Sequence, residues 1–441
     1  MRGQARFPFL PREAIRRAQR ARLGTMVRHA YQTVPYYRET MDRLGMRPDD
    51  VRDVEDLATL PIIERDALQR DPEYFVSRAH PLGDYLELRT SGSTGAPRSI
   101  FHDTASIFQN AAHGERERSI FTSLISRSTA YREAWLGVPN EQALRVQPFI
   151  RERLYIPPAI RVRRCYFNVF DPPATLVNQL NEFRPHLIHG SGASFEILFP
   201  YLWSSGARLL RPRVLVFTAA ELSHSVRRLI ERQFEIPVFS TYTSTEALKI
   251  GFECERHLGL HLNEDLYSLS LVDGDGKPLP PGHSGEVIVS NLVNRATVLF
   301  NYRLGDISTL DERPCPCGRT LPLLTALQGR ADDIIELPSG RRIHPVLLST
   351  LVGEEQQIWQ FQVVQRSERL FEIAVVADRD ADQVRLRTRL LEKAATIFDD
   401  SIGVEIVFPD SIDRTRAGKL CAVLSLRQNR SVSDPAYPSR V

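Results

Sequence analysis

Arg89-Thr90-Ser91-Gly92-Ser93-Thr94-Gly95-Ala96-Pro97-Arg98 follows a strand-like stretch at 85–89 and leads into the extended segment Ser99-Ile100-Phe101. Hydroxyls and unhindered backbone amides placed after a strand make a concave set of donors for phosphate oxygens. Gly92 and Gly95 permit close approach and positive φ. The stretch lacks the Gly-x4-Gly-Lys-Ser/Thr pattern of a Walker loop. Alone it also reads as a plain flexible turn, so its neighbours in the chain must decide.

Upstream, residues 12–45 read as helix, with Ala14, Ile15, Ala18, Leu23 and Val27 on one side and an interruption at Val34-Pro35. Downstream, a helix is expected from about 104. Short apolar runs at 187–190, 214–217 and 238–242 then alternate with helical stretches at 194–203 and 223–234. That order implies parallel strands with crossovers. From about 260 the texture becomes hairpins, around the turn Asp273-Gly274-Asp275-Gly276. A polar, hinge-like stretch at 329–340 precedes a β-β-α-β tail at 360–366, 370–377, 380–398 and 403–408. The expectation is an α/β protein with two domains. The large N-terminal one, 1–330, has parallel sheets flanked by helices and an antiparallel β subdomain. The small, mobile α+β one is 331–441.

Four more short motifs carry chemistry. In Thr241-Tyr242-Thr243-Ser244-Thr245-Glu246 an aromatic can stack on a base, a Thr hydroxyl can reach a phosphate, and Glu246 can hold Mg²⁺. The competing reading is a strand edge before a helix cap. In Tyr302-Arg303-Leu304-Gly305-Asp306-Ile307 the Asp can accept from two ribose hydroxyls, or merely cap its own turn. Gly329-Arg330-Ala331-Asp332-Asp333 and Arg414-Thr415-Arg416-Ala417-Gly418-Lys419 are weak in isolation. A basic terminal loop is usually a solvated face.

Taken in order, these motifs resemble the adenylate-forming superfamily of acyl-CoA ligases, peptide-synthetase adenylation domains and luciferases. That superfamily carries a T-S-G-S/T-T-G-x-P loop, then Y-G-x-T-E, Y-R-T-G-D, G-R-x-D-D and a late Gly-Lys. Tyr31-Gln32-Thr33-Val34-Pro35-Tyr36-Tyr37-Arg38, Leu60-Pro61 and Cys315-Pro316-Cys317-Gly318-Arg319-Thr320-Leu321-Pro322 look like the phenylacetate–CoA ligase branch. The resemblance covers nearly the whole chain. It implies that Ser91, Gly92, Ser93, Thr94 and Gly95 grip the β- and γ-phosphates of ATP. Tyr242 would pack on adenine and Thr245 would contact the α-phosphate. Glu246 would hold Mg²⁺, and Asp306 would bind the ribose with Arg330 nearby. Asp332 would be the hinge, and Lys419 would stabilise charge at the adenylation step. Ser339-Gly340 would face the thiol acceptor. Two departures stand out: Thr243 replaces the usual Gly beside the adenine and acyl pocket, and Arg98 replaces a frequent Lys.

The implied reaction is activation of a carboxylic acid as acyl-AMP with release of pyrophosphate, then transfer to a thiol, with coenzyme A first choice. A carrier-protein thiol or an amine are alternative acceptors, as is a specialised biosynthetic role on an amino or other nitrogen-containing acid. A catalytically retired nucleotide-binding member is a different class, and a zinc-dependent interaction module, which would make the five motifs coincidence, is a third. The resemblance puts the acyl pocket within about 110–250, a region whose candidates Phe108, Phe167, Phe195, Phe217 and Ala220 serve equally well as core. The branch gives aromatic or medium-size acids a mild preference.

Cys315-Pro316-Cys317 forms a tight two-thiolate loop, with Cys254 and His261 upstream. Together they make a closed set for structural zinc, with His257 as a competing ligand. Inert buried cysteine is the plainer reading. Some members of the resembling branch look zinc-bearing at matching positions. The chain has 441 residues, 57 basic and 54 acidic, for a net charge of +3. So even a balance argues against nucleic acid or membrane as main partner. The five cysteines do not form a secreted disulfide pattern, and no run reaches the ~18 apolar residues of a membrane span. A cytoplasmic monomer or homodimer is the expectation.

Overall fold

Pro35 divides the N-terminal helical stretch. Arg12–Thr33 and Pro35–Leu44 are separate helices, and the second ends on Gly45 at φ +68. Proline suits the first helical position because its missing N–H has no partner there anyway. The buried stripe of the first helix is Ile15, Gln19, Leu23, Met26, Val27 and Ala30. It includes polar Gln19, whose amide donates to the Glu264 carbonyl at 2.6 Å, while Ala14 and Ala18 sit at its margin.

The computed structural model describes residues 3–426, apart from 91–97, 138–141, 156, 158, 160, 220–221, 312, 326, 328–334, 344–347, 349–350, 353–354, 356, 379, 400, 411 and 413–422. The chain divides into two compact units that interleave along the sequence: Met1–Glu133, Pro139–Cys165 and Phe239–Leu327 form one, and Ala134–Val138, Tyr166–Val238 and Gln328–Val441 the other. Among the described residues, no helix is long and apolar enough to cross a membrane.

The first unit carries an antiparallel array in the order Tyr267–Val272, Ser284–Asn291, Tyr302–Asp311, Leu323–Leu324, Leu260–Leu262, Leu248–Glu253 and Val238–Ser244. The expected turn after Val272 is present: Gly276 N–H donates to the Asp273 carbonyl at 3.0 Å. The two N-terminal helices pack on this array, contributing Leu23, Val27 and Tyr37 to a core with Leu266, Val289 and Phe300. A smaller hairpin pairs Leu86–Arg89 with Ser99–His102. The helices Thr104–His113 and Glu115–Ile125 follow it.

In the second unit, Leu187–Ser191 and Val214–Thr218 are parallel neighbours joined through the helix Gly192–Ser205. That is the crossover implied by the alternation of strand and helix in sequence. Its C-terminal part is a sheet ordered Gly403–Val407, Leu370–Ala377, Ile358–Ser367 and Val423–Leu424, with the helix Gln383–Ile397. This part has its own core, including Val363, Phe371, Ile373, Leu386 and Leu390. Its first described strand is Ile335–Glu336.

Candidate functional site

The two ends of the Thr90–Arg98 stretch are tied by hydrogen bonds. Thr90 N–H donates to the Arg98 carbonyl, and Arg98 N–H donates to Thr90 Oγ1, both at 3.0 Å. These bonds continue the Leu86–Arg89 hairpin, so the loop is closed at its base. Ser91, Gly92, Ser93, Thr94 and Gly95 themselves lie outside the described residues, as do Arg330, Asp332 and Lys419.

The strand Val238–Ser244 and its turn bring Tyr242, Thr245 and Glu246 together in the first unit. The Tyr242 hydroxyl donates to Asp306 Oδ2 at 2.7 Å. Burial first, and the Asp306 carboxylate second, push the Tyr242 hydroxyl well above its ordinary pKa, so it keeps its proton. Asp306 follows Gly305, whose φ is +81 and where an added Cβ would stand 3.0 Å from Arg65 Nη1. Glycine takes that conformation at no steric cost, and a side chain there would have to displace the Arg65 guanidinium.

Two successive peptide carbonyls are held from distant parts of the chain. His102 Nε2 donates to the Thr245 carbonyl at 2.9 Å, and Asn291 Nδ2 to the Glu246 carbonyl at 3.0 Å. The Glu246 side chain accepts from the Tyr302 hydroxyl at 3.3 Å and lies 4.0 Å from Arg98 Nη2. The Arg98 Nε is buried and has no hydrogen-bond acceptor among the described residues. A guanidinium with an unused donor next to a carboxylate, at the base of a hydroxyl-rich loop, suits an anionic ligand accompanied by a cation.

His102, Asn291 and Tyr302 were not singled out as individual site residues in the sequence. No local pattern marks His102 or Asn291, and Tyr302, though it opens the Tyr302–Ile307 motif, gets no role from it; their partners lie 143, 45 and 56 residues away. Of the aromatic acyl-pocket candidates, Phe167, Phe195 and Phe217 are buried in the second unit. Phe108 belongs to the first, and Ala220 lies outside the described residues.

The second cluster is made by Cys254, His261, Cys315 and Cys317, whose donor atoms all lie within 4.8 Å of one another. Cys254 Sγ is 3.8 Å from Cys315 Sγ, and Cys317 Sγ is 3.3 Å from His261 Nε2. Metal–ligand bonds of about 2.0–2.3 Å around one tetrahedral ion give donor separations of this size. His261 Nδ1 contacts the Leu321 carbonyl at 3.2 Å, leaving Nε2 toward the thiols. The N–H groups of Arg256 and Arg319 point at Cys254 and Cys317 Sγ, each at 3.4 Å. His257 is not in the cluster: it sits at φ +53 and pairs with Glu253 at 3.0 Å. The strand Leu260–Leu262, registered against Leu323–Leu324, selects His261.

A family model described as the CapK C-terminal domain matches residues 335–425. The phenylacetate-coenzyme A ligase of Thermus thermophilus is 25% identical across 96% of this chain and 99% of its own length. That of Escherichia coli is 26% identical across 94% of this chain and 95% of its own. Among solved structures, a 2-hydroxyisobutyryl-CoA ligase in its postadenylation state, bound to R3-HIB-AMP, matches with a TM-score of 0.79 at 19% identity, covering 97% of this chain and 93% of that one. An anthranilate CoA ligase bound to anthranoyl-AMP matches with a TM-score of 0.58 at 15% identity, covering 82% and 68%. The structural likeness, at these identities, speaks for the fold.

Proposed function

From the premise that the chain belongs to the adenylate-forming superfamily, as an AMP-forming acid–thiol ligase, we propose how its residues divide the work. The carboxylate of an acid attacks the α-phosphate of ATP, giving acyl-AMP and pyrophosphate. The thiol of coenzyme A then displaces AMP, leaving an acyl thioester. The observation that carries this reading is the convergence of Arg98, Glu246 and the Tyr242–Asp306 pair within one unit.

The loop Ser91–Gly95 holds the β- and γ-phosphates, with Arg98 adding a charged donor at its base. Asp306 accepts from the ribose hydroxyls, with Arg330 nearby, and Tyr242 packs on adenine. Thr245 contacts the α-phosphate. Lys419 neutralises charge that develops between carboxylate and α-phosphate, a term that favours the transition state over the ground state. Glu246 would hold Mg²⁺, which supplies charge neutralisation on the triphosphate. The segment 331–441 would act as the small moving domain, turning at Asp332 to bring Ser339 and Gly340 toward the thiol.

Cys254, His261, Cys315 and Cys317 would hold a structural Zn²⁺. Four protein donors leave no open position, so the ion would brace the fold and take no part in the reaction.

Incubation with ATP, coenzyme A and a panel of carboxylic acids tests the reading. AMP, pyrophosphate and an acyl-CoA of matching mass are expected. Release of ADP and phosphate, or AMP formation with no acyl-CoA, would count against it.

A further inference from the structure

Lys249 lies in the strand Leu248–Glu253, three residues beyond Glu246. The hairpin register sets it opposite Thr243, so the two side chains share one face of the sheet. Thr243 directly follows Tyr242. The turn is held in a fixed shape: Leu248 adopts φ +58, which costs a non-glycine residue on the order of 1 kcal/mol. The backbone of Lys249 is clamped on both sides. Its N–H donates to Asn110 Oδ1 at 3.4 Å, and its carbonyl accepts from Asn263 Nδ2 at 3.1 Å. The Tyr267 hydroxyl, in turn, fixes Asn110 at 2.7 Å.

The Lys249 ammonium pairs with Glu117 of the helix Glu115–Ile125. Gly114, at the start of that helix, leaves the room: an added Cβ there would meet Lys249 Cε at 3.1 Å. The Glu117 side chain is 9% exposed and that of Lys249 33%. The carboxylate is therefore buried, while the lysine side chain is only partly so. Burial pushes the Lys249 ammonium down to about 8, with Glu115 opposing.

An ion pair this enclosed adds little stability over well-packed apolar residues. Its position suggests another use. It stands on the same hairpin as Tyr242, Thr245 and Glu246, to which the adenylation reading gives adenine, the α-phosphate and Mg²⁺, so on that reading the acid is activated beside it. A hydrocarbon group pressed against it would strip the ammonium of water and return nothing. A hydroxyl, amino or amide group would replace that water.

We propose that Lys249 and Glu117 form a specificity element for the acid, so that the enzyme activates carboxylic acids bearing a second polar substituent, remote from the reacting carboxylate, in preference to hydrocarbon acids of the same shape. This rests on the adenylation reading above.

The test is acid-dependent ATP–pyrophosphate exchange with matched acids: phenylacetate against hydroxyphenylacetates and aminophenylacetates, and pentanoate against its ω-hydroxy and ω-amino derivatives. Wild-type enzyme is expected to favour a polar member of at least one set by about tenfold or more in kcat/KM. The double variant Glu117→Gln/Lys249→Met removes both charges at similar volume and should bring that ratio to about one while hydrocarbon acids still exchange. If it does not fold, as judged by thermal melting, Lys249→Gln is read for the same loss. Equal or better use of hydrocarbon acids by wild type, or an unchanged ratio in a folded variant, overturns the proposal. Exchange with no acid at all overturns the adenylation reading and the proposal with it.

Discussion

The Tyr242 hydroxyl donates to Asp306 Oδ2 at 2.7 Å, joining residues 64 positions apart. The bond fixes the direction of a carboxylate assigned to ribose by tying it to an aromatic assigned to adenine. The two halves of the proposed nucleoside site are thus oriented by each other.

Tyr242→Phe keeps the ring and deletes this bond. A hydrogen bond to a charged group is worth about 1.5–3 kcal/mol net. The KM for ATP should rise about tenfold or more. Titration of ATP in the exchange assay measures it, and an unchanged KM would remove Tyr242 from the site.

His102 is fully buried, and burial lowers its imidazole to about 4, against the hydrogen bond to the Thr245 carbonyl. In the unfolded chain it would titrate near 6.5. Between those values the unfolded state binds the extra proton, so this residue's contribution to stability is lost as pH falls from about 6.5 toward 4. The full window corresponds to on the order of 3 kcal/mol. His102→Gln keeps an amide donor for Thr245 and cannot titrate. Melting curves should fall less steeply over this range in the variant than in wild type, and identical slopes would contradict the assignment.

Purified protein should carry about one zinc per chain by elemental analysis. Cys315→Ser or Cys317→Ser should lower the metal content and destabilise the protein, since a structural ion contributes directly to folding. His257→Ala should leave the metal in place. Metal content well below one, or loss of zinc in the His257 variant alone, would remove the proposed set.

Much of this organisation is legible along the chain. Val34-Pro35 marks a helix break, the alternation over 187–242 marks crossovers, and the Asp273–Gly276 turn marks a hairpin. Each of these signals is local. The strand Leu370–Ala377 was readable for the same reason. What could not be read was pairing at long range. Nothing local in Glu115-Arg116-Glu117-Arg118 names a partner. Arg116 is fully buried against Asp265 at 2.7 Å, and Glu117 is buried against Lys249, because the β array brings both partners to that helix. Spacing leaves His257 as a competitor to His261, and strand register separates them.

ATP–pyrophosphate exchange by wild type and Lys419→Ala, over a panel of carboxylic acids, tests whether this chain forms acyl-adenylates. Wild type should exchange label in strict dependence on an added acid. Lys419→Ala should lose about 10²-fold or more of that rate while still binding ATP. Exchange at near wild-type rate in the variant would contradict the role of Lys419, and absence of acid-dependent exchange in the wild type would contradict the proposed function itself.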